Sequence, residues 1–71
     1  LEAEKRLREA IKGVVDAGTA LIKAGVDKSE IASTVAKHND GNANPSSIVS
    51  EEVCQKIMVD FNKRSAHTNN Q

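Results

Sequence analysis

The segment Gly25-Val26-Asp27-Lys28-Ser29-Glu30-Ile31 stops one helix and starts another within seven residues, which restricts the chain to helices that fold back on themselves. Gly25 suits the left-handed position that closes a helix, placing Leu21 and Val26 at the two contact positions of a Schellman ending. Asp27 is an N-cap, and Glu30 three residues later supplies the reciprocal half of a capping box. Val26 and Ile31 stand at the two positions of a hydrophobic staple. One valine is therefore expected to serve both helix ends.

The flanking patterns extend this corner into an all-α, three-helix bundle over residues 1 to 63. Helix one is expected over about 2 to 24, because Leu7, Ile11, Val14, Gly18 and Leu21 recur at four- and three-residue steps, widened by Val15 and Ile22. Glu2 with Arg6 and Glu4 with Arg8 are i,i+4 pairs in the favourable order. Gly18 interrupts the stripe at a cost of about 1 kcal/mol relative to alanine, so close approach of a neighbouring helix is expected there. Helix two is expected over about 28 to 38, with Ile31 and Val35 inward and Ser29, Ser33 and Lys37 outward. The run Asn39-Asp40-Gly41-Asn42-Ala43-Asn44-Pro45 is turn chemistry throughout, and Pro45 keeps the residue before it out of the helical region. Helix three is expected over about 50 to 62, capped by Ser47 or Ser50, of which Ser50 is preferred because Glu51 and Glu52 then complement the dipole. Its buried face is Val53, Cys54, Ile57, Met58 and Phe61. Residues 64 to 71 are polar and are expected to form a disordered tail. The predicted core is Ile11, Val14, Val15, Leu21, Ile22, Val26, Ile31, Val35, Ile48, Val53, Ile57 and Phe61, with the charged start of helix one projecting past its partners.

Several functional classes become improbable on composition. A 71-residue chain buries only roughly 60% of its unfolded surface, so a staple or a partner would help it. Cys54 is the single cysteine, which excludes an intrachain disulfide and implies a reducing, cytoplasmic setting. The chain opens inside a helical pattern without an initiating Met, as expected of a piece of a longer protein. No signal peptide and no bilayer-spanning apolar run is present, so no membrane partner is expected. Ten basic residues balance ten acidic ones, so no global field draws the chain to nucleic acid. Phe61 is the lone aromatic, which leaves no platform for stacking bases.

Candidate chemistry is sparse. Asp40, Asn42, Asn44 and Glu51 fall at positions 1, 3, 5 and 12 of a calcium loop, but position 6, where a sharp turn calls for glycine, is Pro45. The segment therefore reads as a structural turn. His38 ends a helix, where a cation suits the dipole, and His67 lies in the tail; neither has a partner at ligand spacing. Cys54 falls on the apolar stripe with no base near it and reads as a small core residue. No catalytic residue, metal or cofactor is expected. A helix-turn-helix reader is disfavoured, because the link between helices two and three is too long and helix three opens with two glutamates. Lys12, Lys23, Lys28 and Lys37 can cluster near the first corner and weakly touch a phosphate backbone. Protein interaction is the reading that remains, through the part of helix one left uncovered at Leu1, Leu7 and Ile11, either with a partner or with a second copy.

The order of the elements resembles the small C-terminal helical domain of phage single-strand annealing recombinases of the RecT/Redβ and related groups. The resemblance rests on Leu21-Ile22-Lys23-Ala24-Gly25-Val26, the cap Asp27-Lys28-Ser29-Glu30-Ile31, and His38-Asn39-Asp40-Gly41-Asn42-Ala43-Asn44-Pro45-Ser46-Ser47-Ile48 before a last amphipathic helix. It implies an accessory domain that recruits an exonuclease or a single-strand-binding protein, while another domain anneals DNA. No invariant motif transfers to individual positions. On this reading the partner surface is expected to combine Leu7 and Ile11 with Lys12, Lys23 and Lys28, the lysines meeting an acidic tail.

Overall fold

The structure is a computed structural model that describes residues 1–69, with side chains to Ser65. It has three helices, α1 (Glu2–Lys23), α2 (Lys28–His38) and α3 (Glu51–Asn69), with a single 3-10 turn at Pro45–Ser47 and no strand among the described residues. The expected all-α three-helix bundle is what forms. Helix α3 continues well past the boundary near 62 read from the sequence, and the end of the expected tail, with the His67 side chain, lies outside the described residues.

The first corner forms as its residues dictate. Gly25 takes φ 107°; its N–H donates to the Ile22 carbonyl at 3.0 Å, and the Val26 N–H donates to the Leu21 carbonyl at 3.0 Å. These are the two bonds of a Schellman ending. Asp27 then accepts from the Ser29 N–H at 2.9 Å to cap α2. The Ser29 contacts hold its carboxyl below the usual aspartate range. The reciprocal half of the capping box is a correction. The Glu30 carboxylate instead lies 3.6 Å from Arg64 on α3, because tertiary approach of a cation competes with the local cap.

Helices α1 and α3 run parallel. Leu7 near the start of α1 shares a surface depression with Val49, Ser50 and Glu51, and Ala24 beyond its end shares one with Ser65. At 1.5 Å per residue α1 is about 33 Å long, so this pair sets the long axis of a molecule measuring 42 × 22 × 16 Å. Helix α2 is half that length and returns beside only the C-terminal half of α1. The N-terminal half of α1 is covered by the connection after α2, which brings Pro45 against Val14 and Val15 and buries Ile48. The charged start of α1 does not project as expected: Leu1 is fully exposed, but Ala3 and Glu4 of the first turn share a depression with Val49, Ser50 and Glu51.

The core comprises Val14, Leu21, Val35, Ile48, Cys54, Ile57 and Phe61. Full burial of an aliphatic or aromatic side chain contributes about 1.5–3 kcal/mol, so these few residues must supply most of the stability. Ile11, Val26, Ile31 and Val53 are half-buried against the core rather than inside it. Two expected core residues are corrections: Val15 is 43% exposed and Ile22 is half-buried at the rim of a groove. They lie on the α2 side of the α1 stripe, and an eleven-residue α2 is too narrow to cover both. The break at Gly18 has the expected cause. A Cβ there would meet Ile31 Cγ2 at 3.1 Å and Phe61 Cε2 at 3.7 Å, so glycine admits both neighbouring helices.

The second connection uses its polar residues on its own backbone. Asp40 and Gly41 are both left-handed, at φ 54° and 83°, and the Gly41 N–H donates to the Ala36 carbonyl at 2.9 Å. Buried Asn39 donates to the Asn42 carbonyl at 3.1 Å. Asn42 accepts from the Asn44 N–H at 2.9 Å, and Asn44 accepts from the Ser46 N–H at 3.0 Å. Ser50 accepts from the Val53 N–H at 3.2 Å, as a cap of α3 should.

Candidate functional site

An apolar groove of about 130 Å³ lies between α1 and α2. Val15, Gly18 and Ile22 form the α1 wall, Ile31 and Val35 the α2 wall, Pro45 one end and Phe61 the floor. The groove follows from three local facts. Gly18 lets Ile31 sink toward α1, the Schellman corner fixes the angle at which α2 departs, and Pro45 turns the chain back across α1.

On the α1 side of this groove the exposed charges are mainly basic, with Asp16 beside Lys12 and Lys23. Arg8, Lys12 and Lys23 fall within about 80° of Val15 around the helix, and all three are exposed. Lys28, exposed in the first turn of α2, stands on the opposite bank. Among the described residues none of these four cations is in an ion pair. The groove can therefore accept an apolar side chain while its rim supplies donors for carboxylates.

The residues expected to form a partner surface separate into two groups. Lys12, Lys23 and Lys28 do border one feature. Leu7 and Ile11 do not present an uncovered stripe: both are half-buried and packed on the core, because the 39–50 connection and the start of α3 lie over them. Leu7 also opens onto a different depression beside Val49 and Glu51. Sequence reasoning missed Val15, Ile22 and Pro45 as surface-lining residues. The available signal was the brevity of α2 relative to α1. The Glu2–Arg6 and Glu4–Arg8 pairs are not closed among the described residues, since exposed partners of this kind gain little by holding one geometry.

His38 has no partner at ligand spacing along the sequence, but the fold brings its Nε2 to 2.6 Å from Asp60 Oδ2, with both side chains about four-fifths buried. Lys37 is 3.9 Å from the same oxygen. The hydrogen bond from His38 and the two nearby lysines, Lys37 and Lys63, hold the Asp60 carboxyl below its ordinary range. The pair ties the end of α2 to α3 and has no nucleophile beside it: Thr34, one turn earlier, spends its hydroxyl on the Glu30 carbonyl at 2.9 Å. Cys54 occupies the core position expected of it, and burial followed by the charge of Glu51 pushes its thiol pKa up. The oxygens of Asn42 and Asn44, expected to serve the turn, accept backbone N–H groups. Among the described residues no group of three histidine, cysteine or carboxylate side chains converges as a metal site. No described helix is long and apolar enough to cross a membrane. No protein-family model, curated protein or solved structure matches the chain.

Proposed function

We propose that this chain is a non-catalytic docking domain of a DNA recombination or replication protein, of phage or bacterial type, working in a reducing cytoplasm. Its partner is a protein such as a single-strand-binding protein or an exonuclease, engaged through an acidic segment with an apolar residue. The observation that carries this reading is the apolar groove between α1 and α2, with Lys12, Lys23 and Lys28 exposed on the two helices that form it. A carboxylate pairing with a rim lysine fixes position and on-rate, while an apolar side chain filling the groove supplies affinity. The burial of the lone aromatic, Phe61, argues against stacking on bases and leaves only phosphate contact for a nucleic acid.

The test is a fluorescence titration of the chain with a labelled acidic peptide ending in a bulky apolar residue. Saturable binding is expected, weakened about tenfold by Lys23→Glu with Lys28→Glu and also by Val15→Asp. No binding at millimolar peptide removes the reading. A single-stranded oligonucleotide in place of the peptide tests the alternative, backbone contact. That alternative requires retention at low salt and a steep loss as salt rises.

A further inference from the structure

The end of α2 repeats the ending of α1 with one change of residue. At both, the amide two places past the cap donates back across the last turn, Val26 to Leu21 at 3.0 Å and Gly41 to Ala36 at 2.9 Å. The left-handed position is Gly25 at the first ending. At the second it is Asp40, held at φ 54°, and the glycine comes one residue later. Both Asp40 and Gly41 are exposed. Asp40 is the only aspartate or asparagine in the chain that is followed by glycine. Asp16 and Asp60 lie inside helices, and the Asp27 carboxylate is engaged by the Ser29 N–H.

An aspartyl-glycyl pair can react with itself. The glycine nitrogen attacks the aspartate Cγ and closes a succinimide ring: a C–N bond forms, a carboxyl C–O bond breaks, and the amide proton leaves with the hydroxyl as water. Glycine has no Cβ to obstruct the approach. Water then opens the ring. Addition at Cγ restores aspartate, whereas addition at the main-chain carbonyl carbon leaves the chain running through Cβ and Cγ, as isoaspartate. The water released in the first step is matched by the water consumed in the second, so no other reactant is needed.

The folded chain opposes ring closure. The Gly41 N–H is committed to the Ala36 carbonyl, and attack requires that proton to be lost and the nitrogen to turn toward the Asp40 side chain. Its neighbours hold it there. The Asn42 N–H donates to the Asn39 carbonyl at 3.0 Å, buried Asn39 donates its side chain to the Asn42 carbonyl at 3.1 Å, and His38 fastens the last turn of α2 to Asp60.

We propose that Asp40-Gly41 is a spontaneous modification site gated by the end of α2: the succinimide closes only when that last turn opens, and isoaspartate at position 40 keeps it open. The added main-chain carbon carries the Gly41 amide away from the Ala36 carbonyl, and Asn39 loses its partner at Asn42. A buried polar group left without a partner is costly, so the change passes into the connection that buries Ile48 and closes the groove at Pro45. This chemistry holds whatever occupies the groove.

The experiment incubates the full chain at neutral pH, folded in buffer and unfolded in guanidinium chloride. The peptide that contains Asp40 is followed by mass spectrometry with electron-based fragmentation, which separates isoaspartate from aspartate at equal mass. Isoaspartate is expected to accumulate in the unfolded chain and at least about tenfold more slowly in the folded one, since local opening must precede reaction. His38→Ala, which removes the tie to Asp60, is expected to raise the folded rate about threefold and leave the unfolded rate unchanged. In the isolated isoaspartyl chain, hydrogen exchange at the Gly41 and Asn42 amides is expected to be about tenfold faster than in the parent. No isoaspartate in the unfolded chain overturns the site. Equal rates in buffer and denaturant, or a folded rate that His38→Ala leaves unchanged, overturn the gate. Parent-like exchange in the isoaspartyl chain overturns the effect on the connection.

Discussion

The two connections of this bundle do different work. The first, from Ala24 to Asp27, is built from local interactions: a left-handed glycine, two carbonyl bonds and a side-chain cap, all within one stretch of chain. The second, from Asn39 to Ser50, begins with local turns but ends as part of the core, because Ile48 is 3% exposed and Pro45 closes the groove. It stands in for the helical length that α2 lacks. A tight corner thus determines where a helix goes, whereas a long connection can determine what the helix behind it leaves open.

The largest expected effect tests whether the second connection is core. Ile48→Ala should cost about 2–5 kcal/mol by the usual penalty for a buried aliphatic truncation, measured by urea unfolding. Val26→Ala, at the half-buried position in the first corner, should cost clearly less. If the order reverses, the connection is a cover and not a structural layer. Next in size, Gly25→Ala should cost about 1–2 kcal/mol, because an L-residue is strained at its positive φ. Asp40→Gly should act in the opposite direction and stabilise by less than about 1 kcal/mol, since Asp40 is a non-glycine residue held at φ 54°. Equal responses at these two sites would erase the contrast between the corners.

The smallest effect concerns the polar tie at the end of α2. The folded pKa of Asp60 lies below its ordinary 3.8. Its stabilisation is therefore present above that value and is lost as pH falls through the lower folded pKa. Urea melts at pH 7 and at pH 3 should show the gap between wild type and Asp60→Asn shrinking at the acid end. A gap that is constant with pH would mean that the carboxylate charge plays no part.

Legibility in the sequence follows the range of the interactions. The Schellman ending, the Asp27 and Ser50 caps, the breaker at Asn44-Pro45 and the core role of Cys54 were readable because each depends on neighbours a few residues away. Gly18 was readable as a close approach, though not which residues approach it. The His38–Asp60 pair joins residues 22 apart and leaves no periodic trace. Val15 and Ile22 were misplaced because a stripe shows which face of a helix is apolar, not how wide its neighbour is. Leu7 and Ile11 were misplaced for the converse reason, since an irregular connection with no periodicity of its own covers them. Of the candidate site, the three lysines were visible and the groove between them was not.

Cys54 has a practical consequence of its own. It is the chain's single thiol, it is 1% exposed at the seam of α1 and α3, and its raised pKa keeps it protonated at neutral pH. A labelling reagent can react only when that seam parts, so the rate of modification measures how often it does. The molecule carries its own clock for breathing, with no probe to be engineered.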